Sequence, residues 1–316
     1  MMYKNTFKLV ISNFHLVWKN LVYKFLMALI VVGLAFACAL PIINVIRAEG
    51  FFTILKETFS SFTADYNIYK LFYDIISCFD IFFKAIATNI NSLWLYIVLF
   101  LLIIVVVRTI LMGFSRVTTT SVLYNYLSSN IKVSYTANLF GGFWKNFKFQ
   151  LAYVITVLPI DVGIIYCAYM LFKWLLTLNG INLLAPIVLI VLLVFVISLK
   201  ITFFSCWIPC LITFDCSIFE ALVKGVKAVF RRFYRSYSTA ILIMFTLIIL
   251  NVGCALCTFG ASLILTLPIS SLTILVYNMV VFYSSQGMRF YVDNQNFVTT
   301  LKHEETDAIL KQKYII

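Results

Sequence analysis

Charge is what this sequence has least of. Only 11% of its 316 residues are Asp, Glu, Lys or Arg, against about 25% in soluble domains. Twelve residues are acidic and two are histidine. So thin a supply of acid–base and metal-ligating groups excludes most enzyme classes. No P-loop, GxSxG or HExxH occurs, and no two carboxylates fall close together within one apolar run to hold a catalytic metal. The sequence therefore predicts a non-enzymatic protein with no cofactor and no metal. His15 and His303 lie far in sequence from the eight cysteines. Cys254 and Cys257 are spaced as a CxxC, but inside an apolar run, where Cys acts as a small apolar residue. Cys206, Cys210 and Cys216 are read the same way, Cys78 is read as a lone thiol, and no disulfide is expected.

Apolar residues are abundant. They make up 63% of the chain, and mean hydropathy is +1.02. Water cannot be the solvent for so much apolar surface, and in hydrocarbon only helices or closed barrels satisfy the backbone. Barrel strands alternate in polarity, whereas here the apolar runs are unbroken, as in WLYIVLFLLIIVVV at 94–107. The expectation is an all-α polytopic bundle forming one membrane domain. Six runs come near the roughly 20 residues a span needs, close to 22–46, 93–114, 150–172, 183–206, 239–263 and 268–286. The first run follows a long mixed segment and exceeds a signal peptide's apolar stretch. LAFAC at 34–38 has Phe36 where a lipoprotein box wants a small residue. This reads as an uncleaved anchor.

The cations are unevenly placed. All but Arg47, Lys56, Lys70, Lys84 and Lys173 fall in the alternate connectors that a six-span chain puts on one side. Positive connectors stay cytoplasmic during insertion, so both ends are expected inside, with 287–316 an inner tail. Trp18, Trp94, Trp144, Trp174 and Trp207 all fall near span ends, as interfacial indoles do. The Ile-, Phe-, Tyr- and Asn-rich usage suggests a bacterial cytoplasmic membrane. The net charge of +12 is accounted for by insertion and by anionic headgroups on the inner face. Nucleic acid is not needed to explain it.

Two connectors carry helical periodicity. In the outer loop 47–92, apolar residues recur from Ile68 to Ile86, predicting an amphipathic helix that caps the bundle or lies on the outer surface. Inside, 217–235 reads as a second such helix. Ser217 and Glu220 form a capping box, and Phe219, Leu222, Val223, Val226, Val229, Phe230 and Phe233 form one face. Lys224, Lys227, Arg231 and Arg235 form a basic stripe, suited to lipid headgroups or to a membrane-protein partner. WKNLVYKF (18–25), WKNFKFQL (144–151) and VFRRFYRS (229–236) each precede an outgoing span. They suggest three repeated units, although interfacial anchoring selects for similar aromatic-basic segments.

PCLITFDCSIFEALVKGVKAVFRRFYRS, from Pro209 to Ser236, resembles the segment before the fifth span in a bacterial membrane superfamily. That superfamily includes the membrane domain fused to glycerophosphodiester phosphodiesterases and its stand-alone six-span relatives. The matching features are Pro209 ending the fourth span, an acidic turn at Asp215, and Ala221–Leu222 leading into basic and aromatic residues. Gly225 departs from the small Ser common there. The resemblance covers under a tenth of the chain and implies a fold with no activity, because no phosphodiesterase domain is present.

Asp161 is the one carboxylate expected at mid-membrane, where an ionised group costs several kcal/mol unless paired, protonated or wet. Pro159 removes a backbone hydrogen bond just before it, and Gly163 would let a helix approach closely. Arg108 and Lys200 are the cations near enough in depth to pair with it or to snorkel away. One reading is a structural ion pair. The other is a proton- or cation-linked site on a transport path.

Overall fold

The structure is a computed structural model describing residues 2–66, 68–176, 184–292 and 297–298. The helices, in chain order, are α1 (Met2–Ser12), α2 (His15–Ala48), α3 (Phe51–Asp65), α4 (Ile68–Thr88), α5 (Ile90–Leu102), α6 (Arg108–Ser129), α7 (Tyr135–Gly141), α8 (Phe143–Leu176), α9 (Ala185–Phe204), α10 (Trp207–Thr213), α11 (Ile218–Phe230), α12 (Phe233–Cys257) and α13 (Leu263–Gln286). A π-helical turn, Ile103–Val107, joins α5 to α6. Two residues, Phe290–Tyr291, pair antiparallel with Phe297–Val298. Of the tail expected at 287–316, residues 293–296 and 299–316 lie outside the described residues.

Among the described residues six helical stretches are long and apolar enough to cross a membrane: His15–Ala48, Ile90–Ser129, Phe143–Leu175, Ala185–Thr213, Phe233–Cys257 and Leu263–Gln286. The chain is a multi-pass integral membrane protein with an all-α fold. Most of these helices overrun the apolar segments because a helix has no reason to stop where hydrocarbon gives way to headgroups. The fifth begins six residues before the expected 239 and ends six before 263. Thr258 to Ser262 instead form turns, with Phe259 and Gly260 in the left-handed region. A second correction concerns the connector between the first two spans, which holds α3 as well as α4.

The chain up to Lys24, together with Gly113 onward, forms one compact unit; Phe25–Met112 forms the other. In the larger unit α13 is the central helix and the most buried of the six spans. α1 and α12 pack on it, as do α10 and α11. Gly287, at φ 71°, ends α13 in the left-handed conformation that glycine adopts without strain.

Three helices that run toward the far end of the bundle share a local plan. α1, α7 and α11 are short, and each is followed after a break of one or two residues by a spanning helix. The two WKN segments explain part of this. Asn20 is buried, and its Oδ1 accepts from Thr119 Oγ1 at 2.9 Å and from the Tyr135 hydroxyl at 3.2 Å. Burial pushes the Tyr135 phenol up to about 12, so it stays a donor. Asn146, also buried, donates from Nδ2 to Thr118 Oγ1 at 3.3 Å. Both asparagines thus reach adjacent threonines of α6. In the same region Gln150 Nε2 donates to Gly113 O at 2.8 Å.

In the smaller unit α3 and α4 form an antiparallel hairpin. Buried Thr58 of α3 meets buried Cys78 of α4 at 3.8 Å, and the rings of Phe51 and Phe82 pack 5.9 Å apart across the two helices, while Phe79 and Phe83 are exposed.

Candidate functional site

The basic segment 217–235 is not one helix. Ser217 caps α11, accepting from Glu220 N at 3.4 Å, and the Ser217 amide bonds the Glu220 carboxylate in return. α11 stops at Phe230, Arg231 and Arg232 form a turn, and Arg235 lies on α12, the fifth span. The periodic run ends because the chain must bend from the bundle's end surface into the membrane.

The expected division into one apolar and one basic face is corrected too. α11 has three faces, roughly a third of a turn apart at about 100° per residue. Ala221, Gly225, Ala228 and Val229 are buried against the bundle. A Cβ on Gly225 would meet the backbone of Cys206 and Trp207 at 3.1–3.2 Å, so the close approach favours glycine. Phe219, Val223 and Phe230 are each more than half exposed and share a second face. Lys224 and Lys227, joined by Arg231 at the C-cap, make the third.

Ion pairs tie this region down. Lys145 Nζ of α8 donates to Asp215 Oδ1 at 2.5 Å, and this lysine holds the Asp215 carboxyl below its ordinary value. Asp215 has φ 45°, a left-handed turn that Asp tolerates better than most residues. Lys224 pairs with Glu220 at 2.7 Å, lowering the glutamate and raising the lysine. The Arg231 guanidinium reaches Gln286 Oε1 at 3.4 Å.

The intramembrane candidates divide. Asp161 of α8 accepts from Lys200 Nζ of α9, so these two are brought together. Arg108 opens α6 in the Phe25–Met112 unit. α8 runs unbroken through Pro159. Gly163 mediates no close approach, because a Cβ there would meet nothing within 4 Å.

Lys200 also lines a cavity of about 210 Å³ inside the larger unit, with Arg116, Tyr153, Trp207, Ser271 and Asn278 among its walls. The Arg116 guanidinium lies 5.1 Å from the centre of the Tyr153 ring. Trp207, read from sequence as an interfacial anchor, is 1% exposed. Its Nε1 donates to Ile218 O at 2.9 Å, and its ring stacks on Tyr153. Reading the second span as ending at 114 hid Arg116. Once α6 continues to Ser129, a guanidinium two residues before the polar triplet 118–120 lies inside a helix of the bundle, and that was its available signal.

Among the described residues no group of three or more His, Cys, Asp or Glu is placed to hold a metal. Compared with known proteins, the chain matches no family model, no curated protein and no solved structure.

Proposed function

We propose that this is a non-catalytic protein of a bacterial cytoplasmic membrane, with both ends inside, that engages anionic lipid headgroups through α11 and the turn into α12. The observation that carries this reading is the three-faced helix. Its small face is used in docking, so Phe219, Val223 and the exposed part of Phe230 are available to acyl chains while Lys224, Lys227 and Arg231 stand beside them at headgroup level. Arg235 follows on the next helix. Each well-placed cation contributes about 1 kcal/mol toward an anionic leaflet, and the apolar row adds its own transfer energy. The likeness of Pro209–Ser236 to the six-span superfamily is compatible, since it implies a fold without chemistry.

The test uses full-length protein in nanodiscs of phosphatidylcholine with and without phosphatidylglycerol, followed by hydrogen exchange across 217–235. Phosphatidylglycerol is expected to slow exchange there, and replacing Lys224, Lys227, Arg231 and Arg235 with Gln is expected to abolish the difference. Equal protection in both membranes would show that headgroup charge plays no part. An impermeant thiol label reaching Lys227→Cys from outside intact cells would reverse the orientation.

A transport role with a path at Asp161 is the competing reading. It draws on a carboxylate that is 44% exposed even when paired, in a proline-containing helix. It requires Asp161→Asn to abolish flux while leaving the protein stable.

A further inference from the structure

The cavity beside Lys200 is positively charged without matching acid. Arg116 enters from α6, Lys200 from α9, and Ser271 and Asn278 from α13. Lys24 of α2 stands behind, its Nζ donating to Ser271 Oγ at 2.8 Å. Asp161 offsets Lys200, but among the described residues no carboxylate pairs with Arg116 or Lys24. Those two like charges repel one another. Holding them together inside an apolar bundle is costly, and an anion between them removes the cost. The space of about 210 Å³ is far above the roughly 10–15 Å³ one water needs.

The donor set narrows the anion. A guanidinium fork suits a group presenting two oxygens in a plane. The Lys200 ammonium enters from a different helix, and Ser271, held by Lys24, adds a hydroxyl from a third, which suits three or more oxygens around one centre. Asn278 lines the cavity, and its Oδ1, turned into the protein, accepts no hydrogen bond there. A half-turn of the amide would present that oxygen to a ligand. Sulfate and carboxylate carry no proton near neutral pH to give it, whereas a singly protonated phosphate or a headgroup hydroxyl does.

We propose that the cavity ringed by Arg116, Lys200, Ser271 and Asn278, with Lys24 behind Ser271, binds a phosphoryl anion, either free phosphate or the phosphate of a lipid headgroup. The site is separate from the surface cations of α11, and its occupancy does not depend on them.

The test titrates the purified full chain in neutral detergent with inorganic phosphate, and separately with dihexanoyl phosphatidic acid. Sulfate and chloride at matched ionic strength serve as controls, and thermal unfolding is the readout. Phosphate, phosphatidic acid or both are expected to raise the midpoint saturably, with sulfate weaker. Saturation by phosphate marks a soluble ligand, and response to the lipid alone marks a headgroup. Arg116→Gln is expected to weaken the response about tenfold or more. Asn278→Asp places a carboxylate in the cavity, and is expected to raise the starting midpoint while abolishing the response. Lys227→Gln should respond as the natural chain does. The proposal is overturned if neither phosphoryl probe shifts the natural chain, if sulfate matches phosphate, or if Asn278→Asp still responds.

Discussion

Asp161 and Lys200 show how one ion pair behaves in an apolar setting. Removing one partner leaves the other charged where charge is costly, whereas removing both does not. Asp161→Asn should destabilise the detergent-solubilised protein by about 2 kcal/mol, less than the roughly 3–5 of a fully buried pair, since Asp161 is 44% and Lys200 21% exposed. Adding Lys200→Met should restore most of the loss, read as the thermal midpoint of the double variant; a simple sum of two losses would mean the pair is not coupled. Gly225 sets two effects against each other. Gly225→Ala gains about 1 kcal/mol of helix propensity but presses a methyl onto the Cys206–Trp207 backbone, where overpacking costs about 1–3 kcal/mol. The net expectation is a small loss, whereas Gly225→Val should lift α11 off, seen as rapid exchange of the Ile218–Phe230 amides. Asn20→Leu takes the acceptor from Thr119 and Tyr135 together, and a loss of about 1–2 kcal/mol follows from two hydrogen bonds of the strength seen in membranes.

Among the elements, the small-residue contact that α11 makes with the bundle has a general cause. Lipid tails are as apolar as leucine, so burying a large side chain against protein gains little over leaving it in lipid, and close packing decides instead. This explains what the sequence made legible. Long apolar runs report the solvent, and all six spans were readable from them. The buried face of α11 was not, because the periodic Phe and Val positions split between an exposed row and buried Val229, while Ala221, Gly225 and Ala228 carry the close contact with the bundle. Trp207 and Arg116 were hidden for a related reason: a cation or indole near a span's end looks interfacial until neighbouring helices are known to surround it. The capping box was legible because it is local, needing only Ser217 and Glu220. Electrostatics around this cap gives a pH dependence. Asp215 and Glu220 are both held below their ordinary values of 3.8 and 4.5, so their contribution is complete above those values. It is lost as pH falls below about 4.5. Protection factors over 213–224, taken against the intrinsic exchange rate at each pH, should therefore fall on acidification through this window, and Lys145→Met should flatten the Asp215 part of the response.

For the whole molecule, the burial of α13 matters most. The helix that forms the centre of the larger unit is the last of the spans, and α1, the first helix, packs directly on it. A ribosome adding about 5–20 residues each second would deliver α13 tens of seconds after α1. During that interval α1 can meet α12, as Tyr3 does Thr246, but lacks its main surface on α13, and the cations of α2 and α6 face one another without the serine and asparagine that complete their enclosure. Assembly of the larger unit thus closes late, when its last spanning helix meets its first helix. A chain halted before residue 263 would hold five of the six spans without the central helix, which makes it a natural substrate for membrane quality-control proteases.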